Sequence, residues 1–147
     1  MYRFKLFTII LLHLFFDKSI SQECLNGNCE DGYGEYQYAT GAVYRGEWLN
    51  GKRNGEGITT SSNGEIYEGE YKNDRRSGYG VYLFPSGERY SGNWRDGRRH
   101  GFGTLLYQNG VTEYVGYFQD GKITGTGRKS YANGNSYNGD WLNSKYH

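Results

Sequence analysis

The amino-acid sequence predicts an all-β fold, an elongated single-layer antiparallel ribbon of stacked β-hairpins. Glycine supplies 24 of the 147 residues, more than twice its usual share of roughly 7%, and each interior glycine disfavours a helix by about 1 kcal/mol relative to alanine. Aromatic residues make up 18% of the chain, whereas disordered segments are poor in aromatics. The glycines and aromatic residues recur together at a fixed period, which is the signature of a repeat architecture.

Each repeat begins with the pattern Tyr-x-Gly-x-aromatic. The leading tyrosines are 23 residues apart, with one step of 24 between Tyr90 and Tyr114. A Gly-x-Gly pair begins eleven residues after each of the first four tyrosines. The last repeat lacks this pair, so we expect it to be truncated. The residues to which we assign a structural role are Tyr44, Gly46, Trp48, Tyr67, Gly69, Tyr71, Tyr90, Gly92, Trp94, Tyr114, Gly116, Phe118, Tyr137, Gly139 and Trp141.

The spacing within a repeat predicts two strands and two turns. The tyrosine, glycine and second aromatic residue alternate with polar residues, which places them on one face of a strand. A basic segment such as residues 50–54 then turns the chain, and a second strand follows the Gly-x-Gly pair. Asn-Gly and Ser-Gly dipeptides close the next turn, because such residues adopt the positive φ angles of tight hairpins. These dipeptides are Asn63-Gly64, Ser86-Gly87, Asn109-Gly110 and Asn133-Gly134.

Stacking gives the repetition its physical reason. A single hairpin is marginally stable in water, but neighbouring hairpins can bury one another's rings. We expect each tyrosine to lie across a glycine of a neighbouring unit, where no Cβ blocks the ring. Two irregularities interrupt the pattern: Asp74 replaces the turn glycine of the second unit, and one residue inserted between Gly110 and Tyr114 predicts a bulge or a loosened turn.

This pattern resembles the MORN (membrane occupation and recognition nexus) repeat family. The resemblance rests on the Tyr-x-Gly-x-aromatic motif, the basic turns with Gly51 and Gly97, and the Gly-x-Gly pair, and it extends from about Gly32 to the C-terminus. It implies a MORN-type solenoid of hairpins that acts as an interaction scaffold, or that binds acidic phospholipids as some members do. A secreted choline- or glucan-binding repeat is the competing interpretation, but those repeats carry adjacent aromatic pairs and a slightly shorter period.

Residues 1–21 have the plan of a secretory signal peptide, with two basic residues, an apolar run over residues 6–16 and a polar end. We expect cleavage before Gln22; a short N-terminal membrane anchor is the alternative. Either hypothesis places the remainder outside the cytoplasm, as a secreted or otherwise extracytoplasmic protein. The predicted organisation is then a signal peptide, an N-terminal cap with a partial repeat over residues 22–43, and MORN-type repeats over residues 44–147.

Cys24 and Cys29 lie close together just after this segment. In an oxidising compartment such a pair usually forms a disulfide, and closing so short a loop would stabilise the fold by roughly 2 kcal/mol. We therefore predict a disulfide that staples the N-terminal cap. A redox switch is the alternative.

Pairs of basic residues recur at the repeat period and predict a basic rim if the turns line one edge. This rim would contact an anionic ligand such as lipid phosphate; the alternative is a solvated turn that Glu56, Asp74 and Asp96 neutralise. Without residues 1–21 the chain has 14 basic and 15 acidic residues, which excludes the strong positive field of a nucleic-acid binder. The possible anion contacts are Lys52, Arg53, Arg75, Arg76, Arg98 and Arg99.

No catalytic constellation is evident around the three histidines, and the sequence predicts neither an enzyme nor a cofactor or metal site. The sequence therefore predicts a non-enzymatic, secreted scaffold for an unidentified protein partner, with attachment to anionic phospholipid membranes through the basic turns as the alternative. We expect the partner to contact exposed rings of the aromatic ladder at Tyr82, Phe84 and Tyr107. The oligomeric state stays open.

Overall fold

The computed structural model describes residues 22–108 and 111–147. This part of the chain contains twelve β-strands and no helix, which confirms the predicted all-β class. The predicted signal peptide and the Asn109-Gly110 turn lie outside the described residues. The strands are β1 Glu23–Gly27, β2 Gly32–Gln37, β3 Val43–Leu49, β4 Lys52–Thr60, β5 Ile66–Lys72, β6 Arg75–Leu83, β7 Arg89–Arg95, β8 Arg98–Leu106, β9 Glu113–Gln119, β10 Lys122–Ser130, β11 Ser136–Leu142 and β12 Lys145–Tyr146.

All twelve strands form one antiparallel sheet in which the spatial order follows the chain order from β1 to β12. Each strand therefore pairs only with its neighbours in sequence. At about 4.8 Å per strand the sheet is on the order of 50 Å long. The predicted ribbon of stacked hairpins is confirmed.

The turn inside each repeat has only two residues, and both have positive φ angles, as in Asp96 (50°) and Gly97 (78°). This is the type I′ turn that suits the twist of a hairpin. The basic pairs were expected in these turns, and that expectation is wrong: they begin strands β4, β6 and β8. The reason is that the two residues with positive φ just before each pair already complete the turn; they are Asn50-Gly51, Asn73-Asp74 and Asp96-Gly97.

The connections between repeats are longer than the tight turns predicted at the Asn-Gly dipeptides. The amide of Gly64 donates to the carbonyl of Ser61 at 3.0 Å, and the amide of Ser61 donates to the carbonyl of Glu65 at 2.8 Å. In the three described dipeptides, Asn63-Gly64, Ser86-Gly87 and Asn133-Gly134, only the glycine has positive φ, as in a three-residue loop that ends in a left-handed residue. The inserted residue lengthens the loop before Tyr114. The Tyr107 amide donates to the carbonyl of Thr112, five residues on, whereas the Phe84 amide of the preceding repeat donates to Glu88, four residues on.

A row of glycines crosses the sheet at right angles to the strands. One glycine from each of β2 to β11 pairs in register with those of the adjacent strands; they are Gly34, Gly46, Gly57, Gly69, Gly80, Gly92, Gly103, Gly116, Gly127 and Gly139. The tyrosine rings lie across this row. A Cβ at Gly103 would stand 2.7 and 2.8 Å from two ring carbons of Tyr90, closer than van der Waals contact allows.

The tyrosines cover glycines of their own hairpin rather than of a neighbouring unit, which corrects the expectation from sequence. Tyr90 lies over Gly92 on its own strand and over Gly103 on the paired strand. Its hydroxyl donates to the carbonyl of Asn93 at 2.9 Å, so the ring is held down at its far end.

The first glycine of each Gly-x-Gly pair has a different role. Gly55 has a φ of 83° and lies in a bulge, where residues 54–56 of β4 oppose Glu47 alone on β3. The bulge adds two residues, so Arg53 and Gly57 stay on the same face of the sheet. In each pair the first glycine thus forms the bulge, and the second glycine lies under the tyrosine ring, where a Cβ would collide with it.

The rings form a continuous ladder along one face, as predicted. Each of the first four leading tyrosines packs against the second aromatic residue of its own repeat and against that of the next repeat. Tyr67, for example, lies 5.1 Å from Tyr71 and 5.3 Å from Trp94 between ring centroids, both edge to face. Such pairs stabilise a fold by about 0.5–1.5 kcal/mol each beyond their buried area. The ladder therefore joins each repeat to the next.

Candidate binding surfaces on the two faces of the sheet

The two faces of the sheet differ in how they use the basic pairs. We call the face with the ring ladder the aromatic face and the opposite one the outer face. Neighbouring residues in a strand point to opposite faces, so each basic pair is divided between them. Its first member is exposed on the outer face and its second is half-buried on the aromatic face. The outer-face members are Lys52, Arg75 and Arg98, and the aromatic-face members are Arg53, Arg76 and Arg99.

The aromatic-face arginines, which we call the arginine row, lie over the ring ladder. The Cζ atom of Arg76 is 4.6 Å from the ring centroid of Trp94 and 4.8 Å from that of Tyr82. Arg99 lies 5.2 Å from Phe118 in the same way. Cation–π contacts of this kind contribute about 0.5–2 kcal/mol. Burial lowers the pKa of Arg99.

The members of the arginine row differ in their ion pairs. The Nε atom of Arg53 lies 3.3 Å from a carboxylate oxygen of Asp74. Within residues 22–108 and 111–147, no carboxylate lies within 4.0 Å of the guanidinium of Arg76 or Arg99. In the next repeat Ile123 takes the equivalent position and is buried. The row therefore consists of three cations, two of them without a carboxylate partner in the described structure.

Open clefts separate successive members of the row. A cleft of about 310 Å³ lies between Arg53 and Arg76, and Tyr71 is among its lining residues. A second, of about 240 Å³, lies between Arg76 and Arg99 and is lined by aromatic side chains that include Trp94. A ligand crossing the strands on this face would meet cations and rings in alternation.

The rings expected to be exposed on the ladder are not the exposed ones. Tyr82 is only 8% exposed, because Phe84 and Trp94 pack against it. That prediction was wrong for Tyr82, while Phe84 and Tyr107 are half-buried.

Four exposed rings that were not expected from the sequence lie on the outer face. Tyr33 (67% exposed) stands apart on β2. The other three, on β6, β8 and β9, we call the outer ring patch: Tyr79 (57% exposed), Phe102 (50%) and Tyr117 (49%). Phe102 and Tyr117 face each other across β8 and β9 with ring centroids 5.5 Å apart. Tyr79 and Phe102 each stand inside a Gly-x-Gly pair. The second glycine of each pair lies under a tyrosine ring on the aromatic face. Because neighbouring residues of a strand point to opposite faces, this alternation was the sequence signal that places Tyr79 and Phe102 on the outer face.

The outer-face members of the basic pairs belong to a larger set of cations that flanks the type I′ turns. All are exposed, and Lys72 faces Arg75 in register, as Arg95 faces Arg98. Two of these cations form exposed ion pairs, Arg75 with Asp96 at 3.5 Å and Arg95 with Asp120 at 3.8 Å. We call this set the basic edge; its members are Lys52, Lys72, Arg75, Arg95, Arg98 and Lys122. Contact of any predicted basic residue with an anionic ligand stays a prediction.

The N-terminal end carries the predicted covalent link. A disulfide joins Cys24 on β1 to Cys29 in the turn before β2. Cys29 packs against the edge of the ring ladder, so the link ties the first strand to the start of the core.

The described part of the chain contains neither a candidate metal cluster nor a candidate transmembrane helix. No group of three or more His, Cys, Asp or Glu side chains there is placed to hold a metal ion. No helix there is long and apolar enough to cross a bilayer.

The sheet topology and the ring ladder define a β-hairpin repeat protein. The model of the MORN repeat matches five consecutive segments, residues 30–43, 44–66, 67–89, 90–112 and 114–136, which is well over half of the chain. The chain belongs to the MORN repeat family. Repeats of this family are generally non-enzymatic, and their presence in this chain is consistent with protein or membrane binding.

Among solved structures, this chain is similar to the SAS-4 (dCPAP) TCP domain in complex with a proline-rich motif of Ana2 (dSTIL) of Drosophila melanogaster. The two share 19% sequence identity with a TM-score of 0.45, over 74% of this chain and 59% of that one. No match was found among the curated proteins.

Proposed function

We propose that this chain is a secreted, non-enzymatic scaffold that binds a protein partner through the outer ring patch. The observation that carries the proposal is the exposure of three large rings on a single-layer sheet. Secretion is supported by the signal-peptide pattern of residues 1–21 and by the disulfide, which suits an oxidising compartment.

The patch has the features of a protein-binding site. Tyrosine is among the residues most enriched at binding hot spots, and exposed apolar groups in a cluster mark interaction surfaces. A cleft of about 370 Å³ beside Phe102 and Tyr117, lined also by Val115, gives a partner side chain a place to insert. Covering the exposed half of each ring removes roughly 100 Å² from water, which stabilises a complex by about 2 kcal/mol per ring.

The test is affinity capture from the native extracellular or lumenal fraction with three forms of the chain. Phe102→Ser with Tyr117→Ser removes the facing rings, while Arg75→Gln with Arg98→Gln removes two outer-face charges and serves as the control. Far-UV circular dichroism first establishes that all three forms are folded. We expect the ring variant to lose a partner that the wild type and the control retain at moderate salt. Equal retention by all three forms would refute the role of the patch.

A second candidate function, attachment to an anionic membrane surface, is supported by the basic edge. Each cation near such a surface contributes about 1 kcal/mol, and the like-charged pair Lys72 and Arg75 would be relieved of repulsion by lipid phosphates. Vesicles with and without phosphatidylserine test it, because this attachment should weaken as salt rises. If the Arg75→Gln, Arg98→Gln variant loses all attachment and the ring variant keeps it, membrane attachment replaces the protein partner.

A further inference from the structure

We infer that the aromatic face is a separate binding site for an acidic, extended peptide in the polyproline II conformation, with Asp or Glu at every third residue. The peptide would run across the strands, and its carboxylates would pair with the arginine row. This face is opposite to the outer ring patch, so the inference does not depend on the proposed function.

The first argument is charge complementarity. Arg76 and Arg99 are half-buried, and no carboxylate lies within 4.0 Å of either guanidinium in the described residues. Their Cζ atoms lie over the rings of Trp94 and Phe118, and Nη2 of Arg99 also donates to the carbonyl of Gly121 at 2.8 Å. An arginine held in this way loses less side-chain entropy when it forms hydrogen bonds, and its N–H groups match a carboxylate in a bidentate pair.

The second argument is spacing. Successive arginines are one repeat apart, which is two strands, or about 9.6 Å. A polyproline II helix has three residues per turn and a rise of about 3.1 Å, so residues i, i+3 and i+6 lie on one side about 9.3 Å apart. A β-strand would turn every third side chain to the opposite side. Among extended conformations, polyproline II thus matches the period of the arginine row.

The third argument is the surface between the arginines. The two clefts are lined by Tyr71, Tyr82 and Trp94 among others, and aromatic-lined grooves are the usual docking surface for polyproline II peptides. Asp74 and Glu65 also line the cleft beside Arg53, so that end is the weaker one for an acidic ligand. The strongest contacts are therefore assigned to Arg76 and Arg99, and the buried Ile123 ends the row.

Synthetic peptides of about twelve residues test the inference. One carries four Pro-Pro-Glu units, a second carries Pro-Pro-Gln units, and a third has the composition of the first with its glutamates clustered. Titration against the full chain should show binding of the first peptide. The glutamine peptide should bind at least about tenfold more weakly, since hydrogen bonds to charged groups are the strong ones, and the clustered peptide several-fold more weakly. Equal binding of all three would overturn the inference.

The chain offers a closely matched pair of variants. Arg76→Gln with Arg99→Gln removes two charges from the aromatic face, and Lys72→Gln with Arg95→Gln removes two exposed charges from the outer face that line neither of the two clefts. We expect the first variant to lose at least about tenfold in affinity for the Pro-Pro-Glu peptide and the second to stay within about twofold. Equal losses would indicate general electrostatic attraction and would overturn the inference.

A lysine variant and a vesicle assay complete the test. If the glutamine variant of Arg76 and Arg99 does not fold, the corresponding lysine variant replaces it, because lysine keeps the charge without the bidentate fork. Several-fold weaker peptide binding is expected there, and unchanged binding would overturn the inference. The inference would also be overturned if the chain bound none of the three peptides but bound phosphatidylserine vesicles through Arg76 and Arg99, because the ligand would then be a membrane.

Discussion

The glycine row can be tested at its centre by Gly92→Val. An ideal Cβ at Gly92 would lie 2.7 Å from the carbonyl oxygen of Phe102, 2.7 Å from the hydroxyl of Tyr90 and 2.5 Å from the Cα of Gly103. Two of these three atoms belong to the backbone of the paired strand, which cannot rotate away. Valine adds two methyl groups to that Cβ, so β7 and β8 must separate or Tyr90 must leave its seat.

The magnitude follows from these contacts. Overpacking a close-packed site costs typically about 1–3 kcal/mol, and the upper end applies because backbone is the obstacle. Displacing Tyr90 also breaks the hydrogen bond from its hydroxyl to Asn93, which is worth about 1 kcal/mol. A loss of about 4 kcal/mol lowers the melting temperature by on the order of 15 °C for a domain of this size.

The control is Arg95→Ala, three residues along the same strand on the outer face. Arg95 is exposed and its ion pair with Asp120 spans 3.8 Å, so its removal should cost less than about 1 kcal/mol. Thermal melts followed by far-UV circular dichroism compare the two variants. Gly92→Ala should melt between them, since it adds only the Cβ. Equal melting temperatures for Gly92→Val and Arg95→Ala would refute the seating of the ring on the glycine row.

Three further predictions concern pH, a turn and the disulfide. Burial raises the pKa of Tyr90 and of Tyr114 to about 12 from the ordinary 10.0. Tyrosines in the unfolded chain therefore ionise at lower pH than those in the fold, and the melting temperature should fall as the pH rises from about 10 to about 12. A melting temperature that stays constant over that window would contradict their burial. Asp74 has a φ of 66° and accepts hydrogen bonds from the preceding repeat. Urea titration should show that Asp74→Ala lowers the free energy of unfolding by about 1–2 kcal/mol, and that Asp74→Gly lowers it by about 1 kcal/mol less, because glycine relieves the strained φ. A larger loss in Asp74→Gly than in Asp74→Ala would exclude that strain. Intact mass after alkylation, with and without reductant, should show no free thiol at Cys24 or Cys29 before reduction; two alkylated thiols in unreduced protein would refute the bond.

The repeat and its strands were predictable because the pattern is local. Tyr44, Gly46 and Trp48 alternate over five residues, and this spacing alone places them on one face of β3. The turn was harder to place. The sequence has Asn50-Gly51 before Lys52 and Arg53, and an Asn-Gly dipeptide can complete a two-residue reversal by itself. The expectation that Lys52 and Arg53 belong to the turn placed both cations on one edge of the sheet. They begin strand β4 instead, where neighbouring side chains point to opposite faces.

Exposure of the rings could not be predicted from the pattern. Tyr79 and Tyr82 lie on the same strand, three residues apart, and both follow Gly78. They point to opposite faces, and on a sheet without a second layer the neighbours on each face decide their burial. Tyr82 has Phe84 and Trp94 beside it, whereas Tyr79 faces Asn93 across the strand pair. These neighbours come from register, which depends on the bulge at Gly78.

The absence of a second layer in the described structure also explains why arginine stands among the rings. An aromatic face with no covering layer would leave its rings in contact with water. An arginine covers apolar surface with its stem while its charged head stays hydrated, and Arg76 does this over Trp94 and Tyr82 at once. Ile123 covers the same position in the next repeat without a charge, so shielding the ladder does not by itself require a cation. Arg99 also donates from Nη2 to the carbonyl of Gly121 at 2.8 Å, so part of its guanidinium is used within the fold. An acidic ligand would supply Arg76 and Arg99 with the carboxylates that the described residues do not.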